Sequence, residues 1–191
     1  MNKTVKTILI ALLVIVIAVA VVVAIFKVNG NSKTSLEEVK SNEDLLALVD
    51  KLYEGQKGMF SSLQNQAVDI ADSDFVQYYT GLENAENLEY VVSSEPMISS
   101  QAYSLVLAKV KAGVDANAVA KEMSEKVNTA KWICVSAEKL YVTSSGDIVL
   151  LVMSSEDMAK PIYEKFKTLA GNVNEVYEKT EEEIELPPEM Y

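Results

Sequence analysis

Lys139-Leu140-Tyr141-Val142-Thr143, then Ser144-Ser145-Gly146, then Asp147-Ile148-Val149-Leu150-Leu151-Val152-Met153 is the stretch on which the reading of the fold turns. Two runs rich in β-branched and aromatic residues flank a short polar loop containing glycine, which is the pattern of a β-hairpin. The second run, Ile148 to Met153, is apolar without a break and suits a central strand covered on both faces. Beyond it, Ser154 to Asp157 carries a helix-capping signature. Met158, Ile162, Phe166 and Leu169 or Ala170 then recur at helical spacing. Pro161 interrupts that stripe, so the helix either starts late or bends there.

The same order of elements precedes it. Leu88, Tyr90 and Val92 alternate with Glu89, Val91 and Ser93, which predicts a strand with one wet face. Glu95-Pro96 breaks that strand, and Ile98 to Gln101 makes a turn. Tyr103 to Lys111 is a second strand, with Val106, Ala108 and Val110 on one face and Lys109 and Lys111 on the other. A helix over Asp115 to Thr129 follows, Asp115 serving as N-cap. Upstream, Ser41 with Asp44 starts an amphipathic helix over 42–54. Met59, Phe60 and Leu63 are candidates for the core, and Ala67 to Ile70 is a candidate extended segment. Asp69, Asp72 and Asp74 invite a calcium reading, but Phe75 and Val76 stand where a calcium loop needs glycine. The better fit is that Asp72 or Ser73 caps a short helix over 74–79 that ends at Gly81. The predicted fold is therefore α+β: a four-stranded antiparallel sheet of two hairpins, each followed by a helix, with the helices mainly on one face.

Location is set at the other end of the chain. Ile8 to Phe26 holds nineteen residues with no charged or strongly polar side chain, roughly 29 Å if helical, close to the thickness of a bilayer core. Lys3 and Lys6 precede the run, and Glu37 and Glu38 follow soon after Lys27. That asymmetry predicts a single-pass signal anchor over 8–26, with 1–7 cytoplasmic and the remainder outside the cell membrane. A cleaved signal peptide, ending at Ala18-Val19-Ala20 or Val22-Val23-Ala24, is the alternative and leads to secretion. The expected division is a polar linker over 27–41, the extracytoplasmic domain over 42–170 and an acidic, flexible tail over 171–191.

Composition narrows function. Beyond Phe26 the chain has 15 lysines against 28 acids, a net −13, which excludes nucleic acid as a partner and disfavours anionic lipid head groups. There is no histidine and no arginine, which removes the usual general base and the bidentate phosphate fork. Cys134 is the sole cysteine, so no internal disulfide forms and no lipid-bearing N-terminal cysteine exists. Its neighbours Trp132, Ile133 and Val135 favour a buried thiol over a reactive one. Trp132 fits a packing anchor, or a partner-binding anchor if exposed.

Lys131-Trp132-Ile133-Cys134-Val135, Ala137-Glu138, Leu140-Tyr141-Val142, Gly146-Asp147 and Ile148 to Met153 together resemble the bacterial domain-of-unknown-function family 4358. Tyr79, Gly81 and Leu82 add to the likeness, which spans residues 67–169. The resemblance implies an exported or membrane-attached protein of Gram-positive bacteria and implies no reaction.

With no phosphate loop, nucleophile elbow or metal-ligand cluster in the sequence, no catalytic, cofactor or metal residue is assigned. The expected function is a non-catalytic binding or assembly module of the cell envelope. Its partners would be the lipid bilayer through residues 8–26 and an envelope protein, basic if the acidic tail is used. A divalent-cation or small-ligand binder using acidic loops is the alternative, and a carboxylate-dependent hydrolase the third.

Overall fold

The computed structural model describes residues 36, 39–56, 62–97 and 101–180. The apolar run 8–26, the linker before Leu36, Met59, Phe60 and everything after Thr180 lie outside the described residues. Among the described residues, no helix is long and apolar enough to cross a membrane.

Among the described residues, ten elements follow one another: α1 (Asn42–Tyr53), β1 (Leu63–Ala67), α2 (Ser73–Thr80), β2 (Leu88–Pro96), β3 (Ser104–Val110), α3 (Ala116–Lys126), β4 (Lys139–Ser145), β5 (Ile148–Ser154), α4 (Glu156–Ala170) and β6 (Tyr177–Thr180). The strands form one antiparallel sheet in the order β1-β2-β3-β5-β4-β6. The two expected hairpins, β2–β3 and β4–β5, sit side by side because β3 pairs with β5, from Ser104 opposite Met153 to Lys109 opposite Ile148.

Two features overturn the four-stranded sheet with helices mainly on one face. First, the helices cover both faces. Val106, Ala108, Leu140, Val142, Val149, Leu151 and Met153 pack with Val76 of α2 and Val119, Ala120 and Met123 of α3. Leu105, Leu107, Tyr141, Ile148, Leu150 and Val152 pack on the opposite side, against Leu45, Leu48 and Leu52 of α1 and Ile162 and Phe166 of α4. Every residue of β5 is buried, and each large apolar side chain taken fully from water contributes about 1.5–3 kcal/mol. Second, an edge strand is added at each side. β1 is a polar sequence, Leu-Gln-Asn-Gln-Ala, and β6 comes from the stretch expected to be a flexible tail.

Local chemistry accounts for β6. Glu178 forms an ion pair with Lys139, whose side chain is only 8% exposed. Asn174 N–H donates to the Ser144 carbonyl at 2.7 Å, and Thr143 Oγ1 donates to the Glu175 carbonyl at 3.0 Å. Tyr177 packs against the α3 side of the core and accepts from Asn117 Nδ2 at 3.1 Å.

The strand with one expected wet face differs as well. A bulge between Leu88 and Tyr90 shifts its phase, so Leu88 and Val91 face α3 while Val92 faces α1. With a helix over each face, neither stays wet. In α4, Pro161 lies inside a continuous helix that starts at Glu156, so the helix does not start late.

Candidate functional site

The site is built where α2, the end of β2 and the segment after α3 meet. Asp72 caps α2 by accepting from Asp74 N–H at 2.9 Å and Phe75 N–H at 3.4 Å. Asp69 accepts from Ala71 N–H at 3.0 Å in a separate local turn. Asp69 and Asp72 thus organise backbone amides, and Asp74 supplies one of the amides that Asp72 accepts. Val76 and Thr80 of α2 are buried, while Phe75 and Tyr78 on its outer side are 51% and 41% exposed. At its end, Gly81 takes φ +79°, and a Cβ there would fall 2.4 Å from the Val127 nitrogen. Only glycine lets the two backbones approach so closely, and this approach sets α2 beside the segment that follows α3.

That segment carries Lys131, whose side chain is 2% exposed. Its ammonium donates to Glu95 Oε1 at 2.6 Å, to Ser104 Oγ at 3.2 Å and to the Tyr78 carbonyl at 3.4 Å. It also lies 4.2 Å from the centre of the Tyr78 ring, 5.1 Å from Tyr79 and 5.6 Å from Trp132, so π-faces add to its stabilisation. Glu95 in turn accepts from Ser104 Oγ at 2.6 Å and from the Tyr78 hydroxyl at 3.5 Å. Burial pushes the Lys131 pKa down, with Glu95 pulling the other way. Burial, reinforced by Glu95, raises the Tyr78 hydroxyl to about 12.

A serine 3.2 Å from a lysine of lowered pKa invites a nucleophile–base reading. The geometry works against it. Ser104 is fully buried, and its hydroxyl proton is directed at Glu95. The lysine faces a carboxylate that favours its charged form, and a charged lysine takes up no proton. The cluster is instead a latch that fixes one segment of chain against another.

What the latch holds is a surface. Among the described residues, the large apolar side chains left exposed are Phe75, Tyr78, Met97 at 75% and Ile133 at 70%. Tyr78 touches Lys131 and Phe75 precedes it by one turn of α2, while Met97 follows Glu95 by two residues and Ile133 follows Lys131 by two, within chain reach of the latch. Beside them opens a cleft of about 380 Å³ lined by Asp74, Gln77, Tyr78, Lys126, Asn128 and Lys131. Trp132 is 8% exposed and is a packing anchor beneath this surface. Cys134, expected to be buried, is exposed at φ +61°, because the chain turns outward after Trp132.

A smaller polar cleft of about 140 Å³ includes Glu83, Glu86 and Glu122. Lys126 bridges Glu83 at 3.5 Å and Glu122 at 2.9 Å there. Among the described residues, no group of three or more carboxylate or cysteine side chains is placed to hold a metal ion.

Sequence reasoning missed Glu95, Lys131, Phe75, Tyr78, Met97 and Ile133 as one locus. Glu95-Pro96 and the Lys-Trp-Ile-Cys run were visible separately, but β2 continues through Pro96 instead of breaking at Glu95-Pro96, and nothing local links the two stretches. The chain matches no protein-family model, no curated protein and no solved structure, and the resemblance over residues 67–169 rests on its quoted motifs alone.

Proposed function

We propose that this protein is a non-catalytic binding or assembly module on the outer side of the cell membrane, directed there by the apolar stretch 8–26. We propose further that it engages a protein partner through the face made by Phe75, Tyr78, Met97 and Ile133. One observation carries this reading: large apolar side chains lie in water on α2 and beside the two ends of the buried Lys131–Glu95 ion pair, which ties those segments together. Contiguous exposed apolar groups mark interaction sites, and rigid anchors lose little entropy when a partner docks. The cation-binding alternative has less support: Lys126 stands between Glu83 and Glu122, so a metal ion chelated by both would have to displace it, although both carboxylates still face water.

Placing a photo-crosslinking amino acid at Phe75 or Ile133 in the full chain, in intact cells, tests this. The expected result is one discrete adduct from both positions and none from Lys160, which is exposed on α4 at the opposite face. Equal labelling at all three positions, or none at Phe75 and Ile133, overturns it.

A further inference from the structure

The electrostatics around the exposed face say what kind of partner fits it. Three charged residues line the cleft: Asp74, Lys126 and Lys131. Neither lysine offers free positive charge. Lys131 is 2% exposed and paired with Glu95, and Lys126 is held by Glu83 and Glu122. Counting the cleft charges with their ion-pair partners, two lysines face four carboxylates, a net of −2. The Glu83 side chain is 76% exposed and Glu122 43%, so the field at this rim is negative and open to water. The whole chain carries −11.

Resting on the docking face assigned above, we propose that its occupant is a protein segment presenting apolar side chains flanked by lysine or arginine. The apolar part covers Phe75, Tyr78 and Ile133, and the cations meet Asp74, Glu83 and Glu122. Charge argues against the other occupants. A second copy would bring one acidic rim against another, and an anionic membrane surface would be repelled in the same way.

The test uses the full chain in nanodiscs of zwitterionic lipid and two designed amphipathic peptides with the same leucine face. One carries lysine on its polar face and the other glutamate. Trp132 fluorescence, from a ring 5.6 Å from the Lys131 ammonium, reports binding, with calorimetry as a check. The lysine peptide is expected to bind roughly ten-fold or more tightly than the glutamate peptide. That margin should shrink as salt rises from about 0.05 M to 0.5 M. Phe75→Ser with Ile133→Ser should abolish lysine-peptide binding, and Asp74→Lys should weaken it several-fold, both leaving the thermal midpoint unchanged. Equal affinity for the two peptides, or lysine-peptide binding that survives Phe75→Ser with Ile133→Ser, overturns the charge assignment. So does a dimer in sedimentation that Ile133→Ser dissociates, or capture of anionic vesicles lost in Phe75→Ser. If crosslinking from Phe75 and Ile133 succeeds while the lysine peptide shows no preference, this inference alone falls. If both fail, the docking face falls with it.

Discussion

Replacing Glu95 by alanine is the sharpest perturbation of the latch, because its two charged members are not equivalent. The Lys131 side chain is 2% exposed and that of Glu95 is 16%. Removing one partner of a buried pair leaves the other desolvated, typically at a cost of about 3–5 kcal/mol. Without Glu95, the ammonium keeps only the Ser104 hydroxyl, the Tyr78 carbonyl and the aromatic faces. Its one escape is to lose its proton, which costs free energy at any pH below the ordinary lysine range. Without Lys131, the carboxylate still accepts from Ser104 and Tyr78 and still reaches water. Glu95→Ala should therefore cost about 3–4 kcal/mol and Lys131→Met about 1–2 kcal/mol. The double variant should be more stable than Glu95→Ala alone, a coupling of about 2 kcal/mol. Urea unfolding followed by the single tryptophan reads this directly. With a slope of roughly 2 kcal/mol per molar urea, the Glu95→Ala midpoint should fall by about 1.5–2 M. The sign with pH is also fixed. In Glu95→Ala only burial acts on Lys131, and burial lowers its pKa. The unfolded chain then binds the proton more tightly, so stability rises with pH from the lowered folded value towards the unfolded one. Equal costs for the two single variants, or a double variant as unstable as their sum, would refute the reasoning.

Gly81→Ala should destabilise by about 3 kcal/mol or more, whereas Gly146→Ala should cost about 1 kcal/mol. Both glycines have positive φ, but an added Cβ would fall 2.4 Å from backbone only at Gly81 and meet open space at Gly146, so equal shifts in thermal melts would contradict the close approach. Burial holds the Tyr53 hydroxyl up to about 12 and that of Tyr103 well above its ordinary value. Unfolded tyrosines ionise near 10, so stability present below about pH 10 should be lost as pH rises through 12. Tyr53→Phe should remove roughly 3 kcal/mol of that fall, and an unaltered profile of unfolding midpoint against pH would count against the burial. Stopping the chain after Gly171 removes β6 and leaves Lys139 without Glu178. Relative to a chain stopped after Thr180, it should lose about 2–3 kcal/mol and self-associate through the bared β4 edge, as read by size exclusion. An unchanged elution volume and melting point would mean that β6 contributes nothing.

Much of the architecture was legible because period-2 and period-3.6 patterns are local properties of the chain. α1, α3 and both hairpins fall where alternation, capping residues and glycines put them. The sequence even held evidence against a sheet covered mainly on one face. Ile148 to Met153 has no polar alternation, and such a strand needs a lid on each side. β1 and β6 were not legible, since edge strands bury little and carry little apolar patterning. The phase of β2 was misread because a bulge cannot be seen in alternation alone.

By itself, then, the sequence determined which segments become the four central strands and the helices, the acidity of the domain, and the absence of histidine, arginine and any internal disulfide. The tertiary structure alone decided the join of β3 to β5, the layering of helices on both faces, and the meeting of Lys131 with Glu95 thirty-six residues away. The reason is physical. Periodicity reports what a residue's immediate neighbours require, whereas a buried ion pair, a bare apolar face and a glycine pressed against another backbone depend on which distant surfaces the core brings together.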